Sequence, residues 1–406
     1  MESNLAHQLP LFRRSHGAFT ARNEEVIEDF LRRETSHVIF DPFLGRGRFL
    51  LSHLRSNQIL YGAELLSPIW LLAYLEQPEV RNNLSYFCNA AKELLESLKS
   101  ATQMSPKVEY SEEWLQERQI EVIEHIAAAI GFPEIPDTWP TSENAREDFF
   151  TAAVVVASAR LFSCWRPTRN ATWTKPGGIP VLNSPVESTE LLLAAMLERN
   201  ESVSRLEGRV RMISCDVTSP GAPRLPAAPD LIVTSPPYAN GHNYARQWGP
   251  ELAVSAAMGF RGFESRLSQL GVSTVGHRFE EVDLELLPER IRIDLAGIYS
   301  SDIKDSSTYY FRRFVRYAID LKSSIDFACQ NLGRKPSKAI IVVRDTRHGD
   351  TMFHTGQLVI DLMVDHGWNV VDEPPQLIRT HIGNKRPVTS RYFGNAQVEW
   401  LLRFER

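Results

Sequence analysis

Leu231-Ile232-Val233 is a short apolar run that ends in Thr234-Ser235-Pro236-Pro237-Tyr238. Two consecutive prolines have no N–H to donate and hold φ near −65°, so a strand cannot continue through them. Their carbonyl oxygens are left as acceptors beyond the carboxyl end of the strand. In an open α/β sheet that edge is where ligands bind. A serine hydroxyl, a proline carbonyl and an aromatic face together suit a flat group carrying an exocyclic amine, as a nucleobase does.

A second strand-and-turn unit lies near the amino end. Val38-Ile39-Phe40 has the composition of a buried parallel strand and runs into Asp41-Pro42-Phe43-Leu44-Gly45-Arg46-Gly47-Arg48-Phe49. Glycines two apart after a strand allow a tight turn and a close backbone approach to a ligand. Leu50 stands where a dinucleotide fingerprint would need its third glycine, so that fingerprint does not apply. Ile59-Leu60-Tyr61-Gly62-Ala63-Glu64 reads as a strand ending in an acid about 20 residues further on, where a carboxylate can accept ribose hydroxyls. Val210-Arg211-Met212-Ile213-Ser214-Cys215-Asp216 closes on another acid, although an aspartate also opens ordinary surface turns.

Ser235-Pro236-Pro237-Tyr238 matches every position of (Asp/Asn/Ser)-Pro-Pro-(Tyr/Phe), and the chain there resembles the DNA amino-methyltransferases, which methylate N4 of cytosine or N6 of adenine. The run 41–47 is similar to that family's Asp-Pro-Phe-x-Gly-x-Gly, which binds S-adenosylmethionine (SAM). The resemblance implies an α/β, Rossmann-like SAM-dependent methyltransferase fold with a mostly parallel sheet and helical insertions. It assigns SAM contacts to Asp41, Pro42, Phe43, Gly45, Gly47, Glu64 and Asp216. Phe19, in His16-Gly17-Ala18-Phe19-Thr20 ahead of a helix over 24–33, joins them by its place in the order. Ser235, Pro236, Pro237 and Tyr238 become the catalytic segment. Asn240, Asn243, Tyr244 and Arg246 resemble a substrate-contacting extension seen in one branch, from which Gly241 and His242 depart.

Composition sets the frame. Of 406 residues, 43% are hydrophobic and 23% charged, which suits one large or two ordinary globular domains. No apolar stretch reaches the ~18 residues of a membrane span, and the first residues do not form a secretory signal. Cys88, Cys164, Cys215 and Cys329 are scattered without a metal-binding spacing, so no metal and a cytoplasmic setting are expected. The net charge of −5 does not favour DNA, so binding must come from local basic segments. Arg379-Thr380-His381-Ile382-Gly383-Asn384-Lys385-Arg386 is one, and Lys385 and Arg386 are its DNA-contact candidates. Arg166-Pro167-Thr168-Arg169-Asn170 with Trp173 and Lys175 is the other. Lys175-Pro176-Gly177-Gly178 precedes Ser235, the wrong order for the late Lys-Pro-Gly-Gly turn of many methyltransferases.

The pattern divides discontinuously. A catalytic domain is expected over 1–75, 205–250 and 310–406. A mainly helical insertion over 76–204 is a candidate for target recognition, and a second over 251–309 a candidate for DNA contact. The run to Phe162 reads as a buried helix, Ala339-Ile340-Ile341-Val342-Val343 as a buried strand, 355–366 as a helix, and Val398-Glu399-Trp400-Leu401-Leu402-Arg403-Phe404 as an alternating edge strand.

An exocyclic amine is a poor nucleophile because its lone pair is delocalised into the ring. Ser235 Oγ and the Pro236 carbonyl are the candidate acceptors that would localise that pair. Direct in-line transfer needs positioning rather than a cysteine nucleophile. The base must leave the stack, and Tyr238 would stack on it. Serine at 235 favours cytosine N4 over adenine N6. The expected partner is double-stranded DNA, with cognate restriction or defence proteins. An RNA base methyltransferase and a non-enzymatic, degenerate DNA-binding subunit stand as alternatives.

Overall fold

The computed structural model describes residues 21–98, 114–130, 139–140, 142–163, 166–167, 173–174, 184–200, 206–219, 221–239, 248–259, 283–333, 337–371, 376–381 and 396–406. In chain order its elements are α1 (Ala21–Arg33), β1 (Val38–Asp41), α2 (Arg48–Leu51), β2 (Ile59–Glu64), α3 (Ser67–Glu76), α4 (Pro78–Asn82), α5 (Leu84–Leu98), α6 (Glu117–Ile130), α7 (Glu143–Phe162), β3 (Arg166–Pro167), β4 (Trp173–Thr174), α8 (Pro185–Asn200), β5 (Arg209–Ser214), β6 (Leu231–Thr234), α9 (Gly249–Ala257), α10 (Glu289–Tyr299), α11 (Phe311–Gln330), β7 (Lys338–Arg344), β8 (Thr346–His348), β9 (Thr351–Phe353), α12 (Thr355–Asp365), β10 (Asn369–Val370), β11 (Gln376–His381) and β12 (Ala396–Glu405). The fold is mixed α/β with a mostly parallel central sheet. Among the described residues no helix is long and apolar enough to cross a membrane.

The described residues form two compact units, one within 45–215 and 248–259, the other within 21–44, 216–239 and 283–406. The helices of 76–204 belong to the same body as β2 and β5.

In the second unit the strands lie in the order β10-β12-β7-β6-β1, with β11 also on β12. β6 is parallel to β1 and to β7, and all four of its residues are buried. That burial is why the run carries no polar alternation. Asp230 sets the amino edge, its carboxylate accepting from the Val38 and His37 N–H groups at 3.0 and 3.1 Å. Its carbonyl accepts from the Lys338 N–H at 3.1 Å, so one residue fixes where β1, β6 and β7 begin. α11 buries Phe314, Tyr317, Leu321, Ile325 and Ala328 at helical spacing. Phe327 of the same helix meets Phe40 of β1 edge to face at 6.0 Å.

β12 corrects the sequence reading. It is not an edge strand, because it pairs antiparallel with β7 on one side and with β10 and β11 on the other. The alternation of charged and apolar residues reports which face of a strand is covered, not whether a neighbour is bonded along its edge.

In the first unit β2 and β5 pair in parallel, from Ile59 with Arg209 to Glu64 with Ser214. Its core is α7, where every residue from Phe149 to Phe162 except Arg160 is buried. Five helices (α3, α5, α6, α8 and α9) pack around it. An alanine- and valine-rich helix apolar on all sides suits that central position.

Candidate active site

β1, β6 and β7 run parallel, so their carboxyl ends, Asp41, Thr234 and Arg344, fall on one edge of the second unit's sheet. Asp41 is buried, and its Oδ1 accepts from the Thr234 hydroxyl at 2.6 Å and from the Phe43 N–H at 2.9 Å. The Thr234 bond joins the two sequence segments singled out above, 193 residues apart. Burial pushes the Asp41 carboxyl up to about 7, outweighing the opposing pull of the Thr234 and Phe43 hydrogen bonds. The hydrogen bond from the Phe43 N–H also fixes the start of the turn, since an aspartate accepting from the residue two ahead is the usual way to open one.

Beyond Thr234 the chain runs through half-buried Ser235, buried Pro236 and half-buried Pro237 to Tyr238. The Tyr238 hydroxyl donates to Glu399 Oε1 at 3.0 Å. Arg344 Nη2 donates to the same oxygen, also at 3.0 Å. The Arg344 guanidinium carbon lies 4.5 Å from the Tyr238 ring centroid, a cation–π contact. Glu399 is fully buried on β12, and its register partner on β7 is Arg344, which places the two side by side. Burial first, and then the Glu399 carboxylate, hold the Tyr238 phenol well above its ordinary value, while Arg344 and Ser235 pull it down less strongly. The phenol therefore remains a donor. Sequence reasoning missed Arg344 and Glu399. Arg344 carried a usable signal, a charge closing a buried apolar strand as Asp41 does; Glu399 carried none before the β12 register was known.

In the first unit the turn continues with Gly45 and Gly47, at φ +56° and +62°. A side chain in that left-handed region costs roughly 1–2 kcal/mol, which explains glycine at both positions. A Cβ on Gly45 would meet no atom within 4 Å, so the backbone there is bare. Arg46 between them is turned inward. Its Nη2 pairs with Glu76 Oε1 at 2.9 Å, both side chains being almost fully buried, and Arg81 reaches Glu76 Oε2 at 3.4 Å. Deeper in the same unit Glu251 is fully buried and paired with Arg160, which lies over the Trp248 ring at 5.1 Å. Burial holds the Glu251 carboxyl above its usual range despite Arg160.

Glu64 ends β2 half-buried, with Oε1 accepting from the Leu66 N–H at 2.7 Å. Asp216 accepts from the Thr218 N–H at 2.9 Å and the Thr218 hydroxyl at 2.6 Å, the pattern of an aspartate opening a turn. Pro42 is buried and Phe43 half-buried. Burial pushes the Cys88 thiol up to about 12 and Cys329 to about 11, which leaves neither as a thiolate nucleophile. Among the described residues no cluster of His, Cys, Asp and Glu could hold a metal ion. Phe19, Asn240, Asn243, Tyr244, Arg246, Lys385 and Arg386 lie outside the described residues. No protein-family model matches the chain, and no curated protein matches it.

Proposed function

We propose that the chain is a SAM-dependent DNA methyltransferase acting on the N4 amine of a cytosine extruded from the duplex. The observation that carries this reading is the Thr234–Asp41 hydrogen bond at 2.6 Å. It joins Asp41, the first residue of the Asp-Pro-Phe-x-Gly-x-Gly run, to Thr234, the residue before Ser-Pro-Pro-Tyr, at the carboxyl ends of adjacent parallel strands, where α/β sheets bind ligands.

The residues of the turn fit SAM. Left-handed Gly45 and Gly47 present backbone without side chains, and Asp41 fixes the turn's first residues through the Phe43 N–H. Glu64, at the end of β2, is the candidate acceptor for the ribose hydroxyls. Bound SAM supplies a sulfonium methyl: the N–C bond forms as the C–S bond breaks, and the sulfur keeps the electron pair as a neutral thioether. Ser235 Oγ and the Pro236 carbonyl accept from the amine hydrogens and localise its lone pair, and the surplus proton passes to water. Tyr238 supplies the stacking face. A neutral serine acceptor favours cytosine N4 over adenine N6.

Titration calorimetry with SAM and methylation of mixed-sequence DNA, followed by nucleoside mass spectrometry, test the reading. SAM binding and N4-methylcytosine are the expected results. N6-methyladenine alone would move the enzyme to the adenine branch, and product only on RNA would move it to the RNA enzymes. A chain that does not bind SAM is not a methyltransferase. Ser235→Ala should lose most turnover, ~100-fold or more for a removed catalytic contact, and keep its SAM affinity.

A further inference from the structure

We propose that Arg344 and Glu399 are positioning residues that hold Tyr238 by its hydroxyl and one ring face, leaving the opposite face to stack on the target base. This rests on the methyltransferase reading and adds two residues that its motifs do not contain. The two side chains come from register partners on antiparallel β7 and β12, so they emerge together on one face of the sheet. Both converge on Glu399 Oε1: the Arg344 guanidinium and the Tyr238 hydroxyl each stand 3.0 Å from it.

A buried ion pair is costly to desolvate, and replacing both partners with apolar residues of similar volume is often neutral or stabilising. Stability alone is therefore a poor reason for a glutamate at 399. What the glutamate does is fix two neighbours. It orients the planar guanidinium, which then lies against the ring at 4.5 Å, and it receives the phenol proton. An aromatic ring has two faces. Arg344 covers one, and the hydroxyl is spent on Glu399, so the other face is what Tyr238 can offer a base. Stacking of a base on such a ring contributes about 1–3 kcal/mol, but only for a ring held in the right orientation.

Steady-state methylation of DNA, with SAM affinity from calorimetry and thermal unfolding measured in parallel, tests this. Failure of the unaltered chain to methylate DNA would sink the methyltransferase reading itself; the positioning role is decided by the variants. Arg344→Met should lower kcat/KM for DNA by about 5–150-fold, the equivalent of losing an oriented stack, with SAM affinity within about twofold of wild type. Arg344→Lys should not restore it, because an ammonium cannot lie flat against the ring. Arg344→Met leaves a buried anion, so the paired variant Arg344→Met/Glu399→Leu, which removes both charges, guards against simple misfolding. It should fold and show the same DNA defect.

Tyr238→Leu, which loses the ring, should fall further than Tyr238→Phe, which loses the hydroxyl with its Glu399 and Ser235 contacts and keeps the ring. On the Tyr238→Leu background the paired variant should add little further loss, a non-additivity that a purely structural role would not give. Three results would overturn the proposal: a paired variant as active as wild type, losses that add fully on the Tyr238→Leu background, or SAM affinity falling in step with DNA turnover.

Discussion

Asp41 shows at the scale of one residue how burial and hydrogen bonding compete. Two donors favour its carboxylate, yet burial wins and raises the group from 3.8 to about 7. Between those values the native chain keeps a proton that the unfolded chain releases. Stability contributed by this group is therefore full below about pH 4, falls as pH rises, and is gone above about pH 7. Asp41→Asn keeps Oδ1 as the acceptor for Thr234 and Phe43 and removes the ionisation. The stability of Asp41→Asn relative to wild type should rise from pH 4 to 7 and level off above it, by at most about 4 kcal/mol. Urea denaturation at pH 5 and pH 8 measures this, and a difference that is flat or falls with pH would contradict the burial argument. Asp41 and Ser235 were legible from sequence because each closes an apolar run. Arg46 was not: a charge between two glycines looks like a ligand-facing cation, and only the packing of α3 supplies its partner Glu76, which Arg81 of α4 shares.

Elements are fixed to one another by equally local means, and α12 on β12 is the clearest case. Asp345, the residue after β7, accepts from the Gly356 N–H at 2.9 Å and from Trp400 Nε1 at 2.7 Å. One carboxylate thus caps the start of α12 and anchors the indole of β12. Gly356 lies so close to that indole that a Cβ would stand 2.7 Å from Trp400 Cδ1. Gly356→Ala should force the helix or the indole to shift and cost about 1–3 kcal/mol, an overpacking penalty, read as a lowered urea midpoint with an unchanged slope. An unchanged midpoint would mean that the helix start is looser than the contact implies. The helical period over 355–366 and the apolar run to Phe162 were both readable, because burial on one or all sides of a helix leaves a direct trace in residue order. The place of β12 inside the sheet left no such trace. Pairing along a strand's edges is made by backbone groups that every residue carries, so the partners β7, β10 and β11 appear only with the register.

At the scale of the whole molecule the sequence pattern separated strands from helices, while the compact bodies they build are read from contacts. The residues of 76–204 read as an insertion because helices interrupt the strand alternation, and α7 collects α3, α5, α6, α8 and α9 into the unit that also holds β2 and β5. Membership follows contacts distant in sequence, which periodicity does not record. Charge is a whole-molecule property of a different kind. A net charge of −5 opposes a polyanion, so DNA binding of the proposed enzyme has to come from concentrated basic segments. Lys385 and Arg386, in the basic segment at 379–386, are the pair to test. Each phosphate contact releases condensed counterions, so the slope of log Kobs against log salt reports how many are made. Lys385→Ala/Arg386→Ala should weaken binding to all DNA sequences alike and make that slope shallower by about 2, with SAM affinity unchanged. An unaltered slope would place these two side chains away from phosphate, and the acidic body would then need the other basic segment, around Arg166 and Arg169, to hold the duplex.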